Sequence, residues 1–170
     1  RSSDLPKAYS EFYHREVQGK VADYVVIMGY DEYNSSSEEA GPVASLPFVK
    51  EGIEKTLEVV DASKVINALP LYTRVWITKD GQLSSQALGM TDAASYVSNH
   101  ALSGSWDETS GYNYYYGEDS SGSHQVWLED TDSIKAKLDL MKDYNLAGMA
   151  FWRLGFEKDG IWDEVREYLE

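Results

Sequence analysis

Apolar positions along this chain change their period several times, and each change marks an element. Residues Tyr24 to Tyr30 form a near-continuous apolar or small run that ends at Asp31. Such a run predicts a strand covered on both faces, as in a parallel sheet. Val65 to Tyr72 repeats the arrangement, and Gly148 to Trp152 gives a third run. Helical spacing fills the intervals. Val49, Ile53, Leu57 and Val60 share one face behind a Ser45 cap with Pro47 in the first turn. Ile134, Leu138 and Met141 share a face behind a cap at Thr131 or Asp132, and this helix gives way at Tyr144-Asn145. Ile161, Trp162, Val165 and Leu169 predict a final helix, and Phe12, Tyr13, Val17 and Val21 predict an early one over Tyr9 to Val21.

Between Val75 and Glu129 the rhythm shortens. Stretches at Val75 to Thr78, Ser105-Trp106, Asn113 to Tyr116 and His124 to Trp127 lie between Gly, Ser, Asn and Asp clusters, with one short helix over Thr91 to His100. This predicts a small α+β insertion over 75–129, dividing an α/β body into 1–74 and 130–170. Residues 31–44 form a long polar loop directly after the first strand, where function tends to lie.

Composition narrows the chemistry. The 29 acidic residues against 15 basic ones leave a net charge of -14, which repels phosphate and argues against nucleic acid or anionic membrane partners. A neutral glycan is not repelled, and the 13 Tyr and 5 Trp offer flat faces for sugar rings as well as core material. The absence of cysteine removes disulfides, thiolate metal sites and a thiol nucleophile. His14, His100 and His124 lack metal-ligand spacing, so no metal site is assigned, and no cofactor motif is present. No apolar run reaches the roughly 20 residues of a membrane helix. The chain opens Arg1-Ser2-Ser3 without an initiator Met, as a processed product or an excised piece would.

Strand, helix, strand with one buried run each is the parallel crossover unit. A (β/α)₈ barrel needs about 31 residues per unit, and the roughly 115 residues outside the insertion correspond to between three and four units. Counting strands alone favours a compact three-stranded α/β domain over one portion of a barrel.

Several motifs, in order along the chain, carry a resemblance. They are Met28-Gly29-Tyr30-Asp31, Glu39 to Pro47, Leu69-Pro70-Leu71-Tyr72-Thr73-Arg74-Val75-Trp76, Val126 to Asp130 and Ala150-Phe151-Trp152-Arg153-Leu154-Gly155. Together they resemble glycoside hydrolase family 18, the chitinase-like (β/α)₈ barrels, and within it the bacterial spore-cortex and peptidoglycan N-acetylglucosaminidases. The resemblance implies that the chain is the C-terminal portion of the barrel, strands 6–8, with the insertion between strands 7 and 8. It implies cleavage of β-1,4-linked N-acetylglucosamine polymers by substrate-assisted retaining hydrolysis, the exception to the two-carboxylate scheme. An extracellular, cell-envelope or spore-coat location follows from that substrate.

Site residues carry over one at a time. The family match gives Tyr30 the role of hydroxyl donor to the acetamido carbonyl and Asp31 that of acceptor for substrate hydroxyls. The alternatives are a core tyrosine at a strand end and a turn residue. Trp152 becomes the floor under the sugar rather than a core indole. Tyr72 and Arg74 line the cleft, although Arg74 is equally suited to an ion pair with Asp31 or Glu32. Met28 is expected to pack beneath. The tyrosines Tyr112, Tyr114, Tyr115 and Tyr116 suit a small sheet better than a cleft wall. The family's general acid ends an Asp-x-x-Asp-x-Asp-x-Glu motif, and no stretch of these residues has that spacing. Its place is therefore expected upstream of Arg1, with the isolated chain inactive. The same motifs also suit a carbohydrate-binding lectin whose parent lost the acid. A piece of this kind is expected to pair with the missing barrel half or with itself.

Overall fold

The computed structural model describes residues 14–169. A short helix α1 (Arg15–Val21) leads into strand β1 (Val25–Met28). The part of the early helix expected through Tyr13 lies outside the described residues. After the long loop come α2 (Leu46–Leu57), a 3₁₀ turn (Ala62–Lys64), β2 (Val65–Pro70), β3 (Tyr72–Lys79) and β4 (Gln82–Gly89). Helix α3 (Met90–Asn99) precedes β5 (Ser103–Asp107), β6 (Tyr112–Asp119) and β7 (Gly122–Leu128). The chain then runs through α4 (Thr131–Asp143), β8 (Gly148–Trp152) and α5 (Ile161–Leu169).

Two sheets result. One is parallel, in the order β1-β2-β8, with Met28 opposite Ala68 and Pro70 opposite Trp152. The other is antiparallel, in the order β4-β3-β7-β6-β5. Its first pair is Tyr72 with Gly89, so the antiparallel sheet begins at Tyr72, inside the span expected to belong to the α/β body. Leu71 is the hinge between the sheets, and its amide donates to the Trp152 carbonyl at 2.7 Å.

The parallel sheet packs its helices on one face. Leu69, Leu71, Val49, Ile53, Ile134, Leu138, Met141 and Ile161 form the main core, with Ile27, Met149 and Phe151 against it. Residues of opposite parity do not find helices. Val26 is 54% exposed, Met28 71% and Trp152 53%. The expectation of a strand covered on both faces therefore fails for β1, and Met28, expected to pack beneath the site, stands largely uncovered among the described residues. The reason is geometric: side chains alternate across a strand, and helices within these residues supply only one covering layer. A second core, around Val75, Ala93, Val97, Leu102, Val126 and Leu128, joins α3 to the antiparallel sheet.

Helix starts follow side-chain chemistry. Ser45 caps α2, its Oγ accepting from the Phe48 amide at 3.3 Å. The α4 cap is Asp130, one or two residues before the expected position. Its Oδ1 accepts from Ser133 N at 3.0 Å while its own amide donates to Ser133 Oγ at 2.8 Å, a reciprocal capping box that Thr131 could not form from inside the helix.

Candidate active site

Tyr30 and Asp31 lie just past the C-terminal end of β1, and Tyr72 lies just past the end of β2. Asp31 adopts φ 64°, in the left-handed region that aspartate tolerates better than most residues. This turns the chain away from the sheet and presents the carboxylate to Tyr72. The Tyr72 hydroxyl donates to Asp31 Oδ1 across the gap between neighbouring strands. The rings of Tyr30 and Tyr72 meet edge to face, with centroids 6.3 Å apart and planes at 75°. Tyr72 is buried while Asp31 is exposed, so the pair spans the boundary between core and solvent.

Electrostatics fixes the protonation of both phenols. Burial pushes Tyr72 far above the ordinary phenol range, and the hydrogen bond to Asp31 and that residue's charge add to it. Tyr30 is also raised, first by burial and then by the Asp31 charge. Both hydroxyls are thus held as donors at any working pH. That of Tyr72 is committed to Asp31. That of Tyr30 donates to no group among the described residues, which leaves it available to a ligand.

Trp152 ends β8 opposite Pro70 and is half exposed on the uncovered face of the parallel sheet, the face that also carries Met28. Its peptide bond to Arg153 is cis. Arg74 does not take its alternative role as an ion-pair partner of Asp31: its Nη1 donates to Ser85 Oγ at 3.0 Å and its guanidinium lies 6.0 Å from the Trp76 ring centroid. Glu32 is turned instead to Ser45, accepting from its amide at 2.8 Å and its hydroxyl at 3.0 Å. Arg74 Nε is shielded from solvent and has no hydrogen-bond partner among the described residues.

The polar loop after β1 is held down from the antiparallel sheet. Trp76 Nε1 donates to the Gly41 carbonyl at 2.8 Å, and the Ala44 amide donates to Tyr112 Oη at 3.2 Å. Tyr112 in turn donates to Glu129 Oε2 at 2.7 Å. Glu129 also receives Lys137 Nζ at 2.8 Å and Ser133 Oγ at 2.6 Å, while its amide donates to Thr73 Oγ1 at 2.8 Å. This buried network links Tyr112, Thr73, α4 and the loop, and sequence reading missed it. Its one trace in the sequence was Glu129, a carboxylate directly after the apolar Val126-Trp127-Leu128.

The profile of the glycosyl hydrolases family 18 matches residues 3–157. The chain is 30% identical over 150 residues to the uncharacterized glycosylase YvbX of Bacillus subtilis (strain 168), covering 88% of this chain and 43% of that protein. It is 28% identical over 155 residues to the cortical fragment-lytic enzyme of the same organism, covering 89% of this chain and 36% of that protein. Among solved structures, a chitinase from Chromobacterium violaceum superposes with a TM-score of 0.82 at 28% identity, over 92% of this chain and 49% of the other. The chain therefore spans less than half the length of these relatives.

Proposed function

The chain belongs to glycosyl hydrolases family 18, and from that premise we propose that it forms strands 6–8 of a (β/α)₈ barrel hydrolysing β-1,4-linked N-acetylglucosamine polymers of the spore cortex, peptidoglycan or chitin. The parallel sheet is the barrel wall, its uncovered face is the barrel interior, and the antiparallel sheet is an insertion between strands 7 and 8. Active sites of such barrels sit at the C-terminal ends of the strands, where Tyr30, Asp31, Tyr72 and Trp152 lie.

The mechanism on this reading needs no enzyme nucleophile. The substrate's N-acetyl carbonyl oxygen attacks the anomeric carbon as the glycosidic bond breaks, and a carboxylic acid protonates the leaving oxygen. That acid comes from polypeptide outside these residues. Tyr30 donates its free hydroxyl to the acetamido group as charge develops there, a stabilisation of the oxyanion-hole kind. Asp31, held by Tyr72, accepts from the acetamido N–H or a sugar hydroxyl. Trp152 packs under the apolar face of the ring, and Arg74 lines the cleft beside it. Spore-cortex and chitinase names among the relatives support this substrate class.

The observation that carries the reading is the Tyr72–Asp31 hydrogen bond beside an uncommitted Tyr30 hydroxyl. Its test is turnover of a fluorogenic chitobioside and of cortex fragments by the protein completed with its remaining barrel. Tyr30→Phe is expected to lower kcat by about 10²–10³-fold with a smaller change in KM. Unchanged kcat in that variant would overturn the assignment. Gln or Leu at the end of the Asp-x-x-Asp-x-Asp-x-Glu motif of the completed protein would make it a lectin instead.

A further inference from the structure

Far from the proposed cleft, three side chains with no sequence relation converge at the tip of the antiparallel sheet. His100 is the C-cap of α3, Asp119 ends β6, and His124 lies on β7 opposite Ile77. Along β3 the distance from Tyr72 to Ile77 is roughly 17 Å of strand. One nitrogen or oxygen from each of the three lies within 4.8 Å of the others. His100 Nδ1 is 2.6 Å from Asp119 Oδ2, and His124 Nε2 is 3.1 Å from Asp119 Oδ1. Ser121 Oγ lies between them, 2.5 Å from Asp119 Oδ1 and 3.1 Å from His124 Nε2.

We propose that His100, Asp119 and His124 form a binding site for a borderline divalent transition-metal ion, Zn²⁺ foremost. Two imidazole nitrogens and one carboxylate oxygen are the donor set that zinc takes with a fourth position left to water. Calcium and magnesium, which want oxygens alone, are disfavoured. The orientation of His124 is fixed as a ligand's would be. Its far nitrogen, Nδ1, is 2.6 Å from the Tyr96 hydroxyl, which leaves Nε2 aimed at Asp119. Metal-bound histidines typically engage their second nitrogen in this way. Tyr96 also stacks on His100 with centroids 4.3 Å apart, so one residue of α3 steadies both rings.

Access and size are suitable. The His124 side chain is fully buried, while those of His100 and Asp119 are 28% and 34% exposed, so the mouth opens to solvent. Donors around a tetrahedral ion with arms of about 2.0–2.1 Å sit roughly 3.3 Å apart. The His100–Asp119 contact therefore opens by a fraction of an ångström on binding, a rotation available to two partly exposed side chains. The ion would clasp the end of α3 to the β6–β7 hairpin, and this clasp is separate from the proposed hydrolytic chemistry.

The test begins with the purified protein stripped by chelator and titrated with Zn²⁺ in a calorimeter. One equivalent is expected to bind with a Kd of about 1 µM or below and, at a hundredfold excess over Kd, to raise Tm by roughly 5–10 °C. Co²⁺ should give the visible absorption of a tetrahedral site. His100→Ala and Asp119→Asn are each expected to weaken binding by more than about 10-fold, and Tyr96→Phe by about 10-fold. Anomalous density at the zinc edge should lie between the three donor atoms. Failure of saturable one-to-one binding, or an ion found elsewhere, overturns the proposal whatever the variants do. Affinity unchanged in folded His100→Ala overturns it as well.

Discussion

At the scale of single residues, burial and charge decide which groups keep their protons. Tyr72 and Tyr112 are both buried, and each donates to a carboxylate, Asp31 and Glu129 respectively. Burial first, and the carboxylate second, raises both phenols above the ordinary value of about 10. Below pH 10 the folded and unfolded states hold these protons equally, so the pair contributes no pH dependence there. Above it the unfolded chain releases protons that the fold retains, and stability falls as pH rises. A spectrophotometric titration should therefore show exposed tyrosines ionising near pH 10 and a second, cooperative phenolate step that coincides with loss of the fold. A single non-cooperative step would contradict the burial of these two rings. A second prediction concerns Lys137, fully buried on Glu129 with its Nζ 4.0 Å from the Tyr112 ring centroid. Lys137→Met leaves Glu129 as an unpaired buried charge and should cost about 3–5 kcal/mol in urea denaturation. Lys55→Met, which breaks an exposed pair with Glu51, should cost under about 1 kcal/mol. Lys137 did not stand out in the sequence, because a burial partner eight positions away has no signature until the fold brings it round. The same is true of His100, Asp119 and His124, whose spacing matches no ligand pattern.

At the scale of elements, the periodic signals carried well and the irregular ones did not. The run Gly148 to Trp152 is β8, and Val49, Ile53, Ile134, Leu138 and Ile161 face the main core as their spacing required. Strand β4 went unseen because Gln82-Leu83-Ser84-Ser85-Gln86-Ala87 lacks β-branched and aromatic residues. It is a strand because β3 templates it, pairing from Tyr72–Gly89 to Lys79–Gln82 across a turn at Asp80-Gly81. That miss also hid the partner of Arg74, since Ser85 sits on β4. Contacts between elements are where sequence is least informative and the fold most demanding. Gly111 enters β6 at φ 71°, where an added Cβ would strike the Leu46 side chain at the start of α2. Gly111→Ala thus combines left-handed strain with overpacking and should lower stability by about 2–4 kcal/mol. Gly52, on the open side of α2 with nothing near an added Cβ, is the control. Its Ala variant should be neutral or stabilising by up to about 1 kcal/mol, and thermal melts of the two variants separate the cases.

At the scale of the whole molecule, the parallel sheet is the exposed part. It has three strands, helices on one face, and Val26, Met28 and Trp152 standing in solvent on the other. Its outer strands, β1 and β8, each present an unpaired edge among the described residues. An apolar face beside two open edges is the arrangement that drives association. The antiparallel sheet carries no comparable burden, since its core is closed by α3. On the proposed reading the face is the inside of a barrel, and what belongs on it is the remaining wall. The isolated chain should therefore self-associate in a concentration-dependent way by sedimentation velocity, despite a net charge of -14 that opposes it. Met28→Lys, at a position 71% exposed, should shift the chain toward monomer with little loss of Tm, because the side chain is little buried among the described residues. Raising the salt concentration should strengthen association by screening the like charges. Adding the complementary barrel portion should do the opposite of Met28→Lys: it should absorb the same face into a defined one-to-one complex and bring the proton donor to the Tyr30–Asp31 mouth. Hydrolytic activity that appears only in that complex would tie the uncovered face to the site. A chain that stays monomeric at high concentration and ignores the complement would mean that the sheet is closed in some other way, and the barrel reading would fall with it.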